Sequence, residues 1–327
     1  MMAKKTTKKP NFNAIPILTT SKKCDKMHCG AKSAGTGTVD DPPFPSKTNE
    51  AKGERSLVID FHTHAFPEKI AARTISALAE TSHQIPSHNG TAEGLRTAAT
   101  QGGVDISVVL PVVTKASQFD SISRFASEID GLPGIRSFGG MHPDCEEPEE
   151  KIAYLRSLGL RGIKIHPDYQ GAFIDDPRYV RITKAALREG LAVITHAGVD
   201  PISPELVHCP PDRAAHFLDL VYDGKEPNEP KIIFAHMGGA KIYQEVLQHL
   251  AGRNVYFDTA FVLPQMEPAL ATEVIRRHGA HRILFATDAP WGRPAEFLAA
   301  LDRLPLSDSE MEAILHSNAE RILDGVS

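Results

Sequence analysis

The sequence predicts an α/β fold of the (β/α)8 type, a TIM barrel preceded by a disordered N-terminal arm. Three observations predict it. Eight short apolar runs recur after residue 56, each ending in polar or Gly/Pro residues and followed by a helical pattern. That alternation is the pattern of a parallel sheet covered on its outer face. About 270 residues for eight such units is the usual size of this barrel. Finally, histidines and one aspartate gather at the C-terminal ends of the runs, the end where barrels carry their chemistry.

Residues 1–56 lie outside this pattern. They are rich in Lys, Thr, Ser, Gly and Pro, carry a net charge of +6, and show neither a helical nor a strand period. They read as a flexible basic arm. Cys24 and Cys29 flank His28. Structural zinc usually takes four ligands, so these are read as two thiols in a tail rather than a metal or redox site. Gly35-x-Gly37 has no strand before it and no helix after it and carries no nucleotide-binding weight.

The apolar runs are 57–64, 104–113, 135–142, 160–166, 191–196, 231–236, 255–260 and 283–288. Between them, amphipathic stretches at 119–129, 149–158, 179–188, 213–222, 242–250 and 269–278 predict covering helices. A last helix, 308–323, opens on the capping box Ser307-x-x-Glu310. The runner-up fold is a doubly wound open sheet, and the absence of a Gly-rich fingerprint after the first run counts against its Rossmann form.

Composition narrows the function classes. The 327 residues carry a net charge of −5, and the part after the arm is at −11, which disfavours nucleic acid as a main partner. No apolar run approaches the ~20 residues of a membrane span, and MMAKKTTKKP lacks the apolar core of a secretory signal. Four Cys are too few for a disulfide scaffold, so a reducing cytoplasm is the expected location. The expected partner is a small-molecule substrate, and a homo-oligomer fits the sequence as well as a monomer does.

Fifteen His is a high count, and position explains part of it. The first run ends Asp60-Phe61-His62-Thr63-His64, the third ends at His142, and the fourth reads Lys164-Ile165-His166. The fifth ends at His196, the sixth at His236 and the eighth at Asp288. A lone His-x-His is a weak signal. In a strand, however, residues i and i+2 face one side, so His62 and His64 can converge on one ion, and a third His with Asp288 completes an N/O donor set. Zn²⁺ is the first choice, with Mn²⁺ or Fe²⁺ as alternatives. His83, His88, His208, His216, His249, His278, His281 and His316 fall in loops or helices and read as surface or packing residues.

On these motifs, together with Gly162-Ile163-Lys164-Ile165-His166-Pro167, His196-Ala197-Gly198, His236-Met237-Gly238-Gly239 and Leu284–Trp291, the chain from residue 57 onward resembles the amidohydrolase superfamily, in its amidohydrolase-related branch of metal-dependent hydrolases and non-oxidative decarboxylases. The resemblance implies metal ligands at His62, His64, His196 and Asp288, with His236 beside the ion as a polarising or acid/base residue. Lys164 has two readings. It is a carbamylated bridge between two ions, as in some relatives, or a buried cation neutralised by an interior carboxylate such as Asp60. His142 and His166 are expected to line the mouth as substrate contacts, with Lys164 and Arg293.

The expected reaction is hydrolysis of a small amide, lactone or other carboxyl derivative, with Asp288 as the base for a metal-activated water and His236 stabilising the oxyanion. The alternative is decarboxylation of a small or aromatic carboxylic acid at the same site, with Arg293 or Lys241 holding the carboxylate. A third reading is a non-catalytic metal-binding scaffold.

Overall fold

The structure is a computed structural model that describes residues 56–323. The expected arm, with Cys24, His28 and Cys29, lies outside the described residues.

The strands are β1 (Ile59–Thr63), β2 (Ile106–Val109), β3 (Ile135–Ser137), β4 (Gly139–Gly140), β5 (Gly162–Ile165), β6 (Ala192–Thr195), β7 (Ile232–Phe234), β8 (Tyr256–Asp258) and β9 (Ile283–Leu284). Each falls inside one of the eight apolar runs. The third run yields two pieces because the ladder breaks at Phe138, whose N–H still bonds the Val109 carbonyl at 2.9 Å. All pairings are parallel and follow chain order, β1-β2-β3 and then β4 through β9. The ring closes between the end of the chain's last strand run and β1. Phe61 N–H bonds Phe285 O at 2.9 Å, Asp288 N–H bonds His62 O at 2.8 Å, and Thr63 bridges to Ala289. Sequential order with closure is a barrel and excludes the doubly wound sheet, whose strand order reverses.

The covering helices are α1 (Glu68–Ser82), α2 (Ala92–Gln101), α3 (Phe119–Ile129), α4 (Pro148–Ser157), α5 (Pro167–Gln170), α6 (Pro177–Arg188), α7 (Pro211–Tyr222), α8 (Tyr243–His249), α9 (Pro268–His278), α10 (Pro294–Asp302), α11 (Asp308–Glu312) and α12 (Asn318–Leu323). Their apolar stripes face the sheet. In α3 the buried residues are Phe119, Ser123, Ala126 and Ile129, a helical repeat on one face. The expected last helix begins on the Ser307/Glu310 capping box but is broken by a π-turn over Ala313–Ser317. Within that turn the Ile314 carbonyl accepts the N–H of Phe285 from the barrel wall. None of these helices is long and apolar enough to cross a membrane.

Two apolar layers result. Ile163, Ile165, Val193, Phe234 and Phe285 pack outward under the helices. Ile59, Phe61, Val108, Phe138, Ile194 and Ile233 fill the barrel beneath the histidines, with Ala319 and Leu323 of α12 packed on the same cluster.

One turn is especially constrained. Gly198, just past β6, has φ +87°, and a Cβ there would sit 2.0 Å from the Ala240 nitrogen. Its own N–H bonds Cys209 O, and Ala240 N–H bonds Ala197 O across the same approach. Gly198→Ala is expected to destabilise the fold by at least the ~1–3 kcal/mol of a strained backbone, read as a lowered denaturant midpoint at unchanged m-value.

Candidate metal centre

β1 delivers its histidines through an irregularity. Ile59 and Asp60 pair with Ile106 and Ser107, but Thr63 pairs with Val109, so β1 carries one extra residue before Thr63. Such a bulge at a barrel rim re-aims side chains. It brings the His62 and His64 rings to 5.2 Å.

Each imidazole is oriented by an acceptor on its inner nitrogen. His62 Nδ1 lies 2.8 Å from Asp258 Oδ2, and His64 Nδ1 lies 3.1 Å from Leu110 O. The carbonyl can only accept and the buried carboxylate is an acceptor, so both Nδ1 atoms donate. Both Nε2 atoms then face Asp288 Oδ1, at 3.5 Å from His62 and 2.9 Å from His64. Donor atoms of His62, His64 and Asp288 all lie within 4.8 Å of one another. Histidines held from behind by an acceptor, with a carboxylate opposite, are the donor chemistry of a divalent ion, so these residues fit one.

His196 is placed differently. It does not join that triad but forms a second one with His166 and Asp200, again within 4.8 Å. The two are linked through His236. Its Nδ1 bonds Ala260 O at 3.0 Å, and its Nε2 lies 3.0 Å from His196 Nδ1. The His236 ring is 5.3 Å from that of His62 and 4.7 Å from that of His196. The donor set implied by the resemblance is thus divided, with His236 between its parts.

His236, Met237 and Asp288 all have positive φ, at 60°, 56° and 65°. Non-glycine residues in this region are strained, and such strain concentrates at functional sites. Local bonds hold it: Asp258 Oδ1 accepts the His236 N–H at 2.7 Å, and His62 O accepts the Asp288 N–H.

Lys164 is buried on β5, with Nζ 3.2 Å from His62 Nε2. Burial brings its ammonium down to about 8, against the pull of Asp258, Asp288 and Asp200. Asp60 is therefore not its counter-charge. That carboxylate is taken up by the Thr287 hydroxyl at 2.5 Å and the Thr287 N–H at 2.9 Å, and burial raises it to about 7. Burial, followed by the neighbouring Lys164 and imidazoles, lowers His62 and His166 well below the usual histidine range. His196 falls likewise, through burial and then His236 and Lys164. Neutral imidazoles are the ligand form. Burial alone would raise Asp288, and the neighbouring His62, His64 and His236 act in the opposite direction, towards the carboxylate.

The remaining expected residues separate. His142 is buried at the end of the third run, and its Nδ1 accepts the Asp144 N–H. Arg293 is more than half exposed and pairs with Glu296 of α10, and Lys241 is exposed. Asp258, Asp168, Asp200 and His208 were not among the expected residues. Asp258 had a legible signal, a lone charge in the apolar run 255–260. His208 fell among the expected surface or packing residues, yet it is buried and bonds Asp168 at 2.9 Å. His278 does pack, stacked 3.7 Å from the Phe257 ring.

Comparison with known proteins agrees with this architecture. Solved 2,6-dihydroxybenzoate decarboxylase, in complex with 2,6-dihydroxybenzoate, superposes with a TM-score of 0.62 at 14% identity, covering 83% of this chain and 100% of that one. The 5-carboxyvanillate decarboxylase of Novosphingobium aromaticivorans, complexed with manganese and 4-hydroxy-3-methoxy-5-nitrobenzoic acid, gives 0.61 at 17% identity, covering 82% and 96%. A putative 2-pyrone-4,6-dicarboxylic acid hydrolase from Pseudomonas putida gives 0.57 at 16%, covering 83% and 98%. At these identities the likeness is one of fold. No curated protein matches the sequence. The family model for amidohydrolases matches residues 59–325, nearly the whole described barrel. The chain belongs to the amidohydrolase family.

Proposed function

We propose that the protein is a metal-dependent, non-oxidative decarboxylase of a hydroxylated aromatic carboxylate. The observation that carries the reading is the His62–His64–Asp288 triad, three donors within 4.8 Å of one another at the strand ends. Two features favour decarboxylation over the hydrolysis first expected. The decarboxylases among the similar folds outnumber the hydrolase described with them. Asp288 Oδ1 lies 3.5 Å from His62 Nε2 and 2.9 Å from His64 Nε2, the position of a fellow ligand rather than of a base set beside one.

Zn²⁺ or Mn²⁺ held by His62, His64 and Asp288 would supply a Lewis acid for a substrate carboxylate or phenol oxygen. The chain's own residues do the rest. Asp258 and Leu110 O keep both imidazoles turned to the mouth. Lys164, mostly protonated at neutral pH with a pKa of about 8, offers a cation to the substrate carboxylate and a proton for the ring carbon as the C–C bond breaks and CO₂ leaves. His236, held by Ala260 O at Nδ1 and by His196 Nδ1 at Nε2, positions the His196 ring beside the triad. His142 and His166 line the same end of the barrel. Arg293, turned to Glu296, has no part in this reading.

Hydrolysis of a lactone or amide is the second reading, favoured by the likeness to the pyrone dicarboxylate hydrolase. One assay separates the two. The full chain loaded with Mn²⁺ or Zn²⁺ is given hydroxybenzoates, 5-carboxyvanillate, lactones and amides, and released CO₂ is measured beside ring opening or amine release. CO₂ from a hydroxybenzoate is the expected result. Hydrolytic product with no CO₂ from any acid would overturn it.

A further inference from the structure

His88 lies in the loop between α1 and α2, where the sequence suggests a surface or packing role. Two tethers fix it instead. Ser87, just before it, gives its N–H to Pro290 O at 2.7 Å and its hydroxyl to Gly292 O at 3.1 Å. Gly90, two residues on, accepts the Phe66 N–H at its carbonyl at 2.8 Å. Pro290 stands two residues past Asp288, and Phe66 two residues past His64. His88 is therefore clamped between the segments that carry two members of the triad, at the same end of the barrel. The clamp is stiff. Gly90 has φ +80°, and a Cβ there would meet Ile75 Cγ1 of α1 at 2.3 Å. Asn89 Oδ1 accepts the Thr91 N–H at 3.1 Å, and Thr91 Oγ1 caps α2 through the Gly94 N–H at 2.9 Å.

The hydrogen-bonding state of the ring follows from one contact. His88 Nδ1 accepts the Gly90 N–H at 3.1 Å, so this nitrogen bears a lone pair and the proton of the neutral ring sits on Nε2. Burial, with His64 adding to it, brings the imidazolium down to about 4, so the ring is neutral at neutral pH. Nε2–H is then a donor, and it is buried without a hydrogen-bond partner. A buried donor with no acceptor is costly, and native proteins keep few of them. An acceptor that arrives with a ligand at the triad would satisfy it.

We infer that His88 is a substrate-binding residue, whose Nε2–H donates to an acceptor oxygen of an aromatic acid held at the His62–His64–Asp288 triad. For the class of ligand the inference rests on the decarboxylase reading above. The role differs from that of Lys164, whose Nζ stands 3.2 Å from His62 Nε2. A cation at His62 and a neutral donor on the His64 side fix the orientation of the substrate ring as well as its place.

The test is a pair of variants of the full chain loaded with Mn²⁺. The probe is 2-hydroxybenzoate, with its Kd read by calorimetric titration beside metal per chain. His88→Asn keeps a side-chain oxygen near the position of Nδ1 for the Gly90 N–H but is too short to reach that of Nε2. His88→Gln reaches it with an amide N–H. His88→Asn is expected to weaken binding by about 10–100-fold at unchanged metal content, the scale of one hydrogen bond to a charged group. His88→Gln is expected to recover most of that loss. Benzoate and phenol locate the oxygen: a loss shared by benzoate places it on the carboxylate, a loss shared by phenol on the hydroxyl. If His88→Asn binds as tightly as wild type, or if both variants lose binding equally, the inference fails. The two readings fail separately. CO₂ release by wild type with no effect of His88→Asn on binding overturns the inference alone. Binding that responds to His88→Asn with no CO₂ released overturns the decarboxylase reading and supports the inference. A wild type that binds none of the aromatic acids overturns both. A crystal of the unsubstituted protein with Mn²⁺ and 2-hydroxybenzoate reads the same point without any risk to folding. An oxygen of the acid within hydrogen-bond distance of His88 Nε2 is expected, and an acid bound at the triad with no oxygen in that reach overturns the inference.

Discussion

Asp288→Asn is expected to lower turnover by about 10²–10⁴-fold while leaving the fold intact. Asparagine keeps the shape and one oxygen near His62 and His64, so the left-handed turn at this position and the Asp288 N–H bond to His62 O survive. What is lost is the charge. A metal triad with two neutral imidazoles and no carboxylate leaves a more strongly charged ion, and substrate oxygens are then held in the wrong balance for the transition state. The range is that of removing one acid/base or charge partner from an active site. Metal content should fall less steeply than rate, because both imidazoles remain oriented by Asp258 and Leu110 O. His236→Asn should keep the metal and lose about 10–100-fold in rate, the scale of losing a group that orients a neighbouring ligand. Parallel measurement of kcat and of metal per chain checks both. Near wild-type turnover in Asp288→Asn at full metal occupancy would remove Asp288 from the centre.

How much of this was legible in the sequence follows from which forces act locally. The barrel was legible because buried parallel strands read as continuous apolar runs and their helices as amphipathic repeats. The predicted 119–129 helix coincides with α3, and the others differ by one or two residues at their ends. The π-turn at Ala313–Ser317 was not legible, since it answers to a carbonyl needed by Phe285 on a distant strand. The site histidines were legible as strand-end residues, but their grouping was not. His196 shares a strand end with no other ligand, and its ring is turned by a bond to His236, forty residues on. Asp168 lies in the single-turn α5 and Asp200 in the loop past β6, where chain position says nothing about which group a carboxylate meets. The pairing of Lys164 was misread for a related reason. Asp60 is close in sequence to the His62–His64 pair, yet Thr287, brought alongside by barrel closure, takes both its oxygens.

Asp258 gives the sharpest test of that closure-built support. It is fully buried, and its two oxygens serve three donors: His62 Nδ1 at 2.8 Å, His236 N–H at 2.7 Å and Ala260 N–H at 3.1 Å. Asp258→Ala strands all three and removes a carboxylate facing the Lys164 ammonium. Breaking a buried charged network from one side costs about 3–5 kcal/mol, so a marked loss in denaturant midpoint is expected. Asp258→Asn separates stability from function. Its one oxygen can still accept the backbone N–H groups, but its amide would face His62 Nδ1 and oppose the tautomer that turns Nε2 to the mouth. The fold should then persist while metal affinity drops about 10–100-fold, the usual effect of losing a group that orients a ligand. Denaturant melts and metal titrations on both variants check this. Should Asp258→Asn bind metal as tightly as wild type, His62 would not be oriented by Asp258, and its place as a ligand would have to rest on the β1 bulge alone.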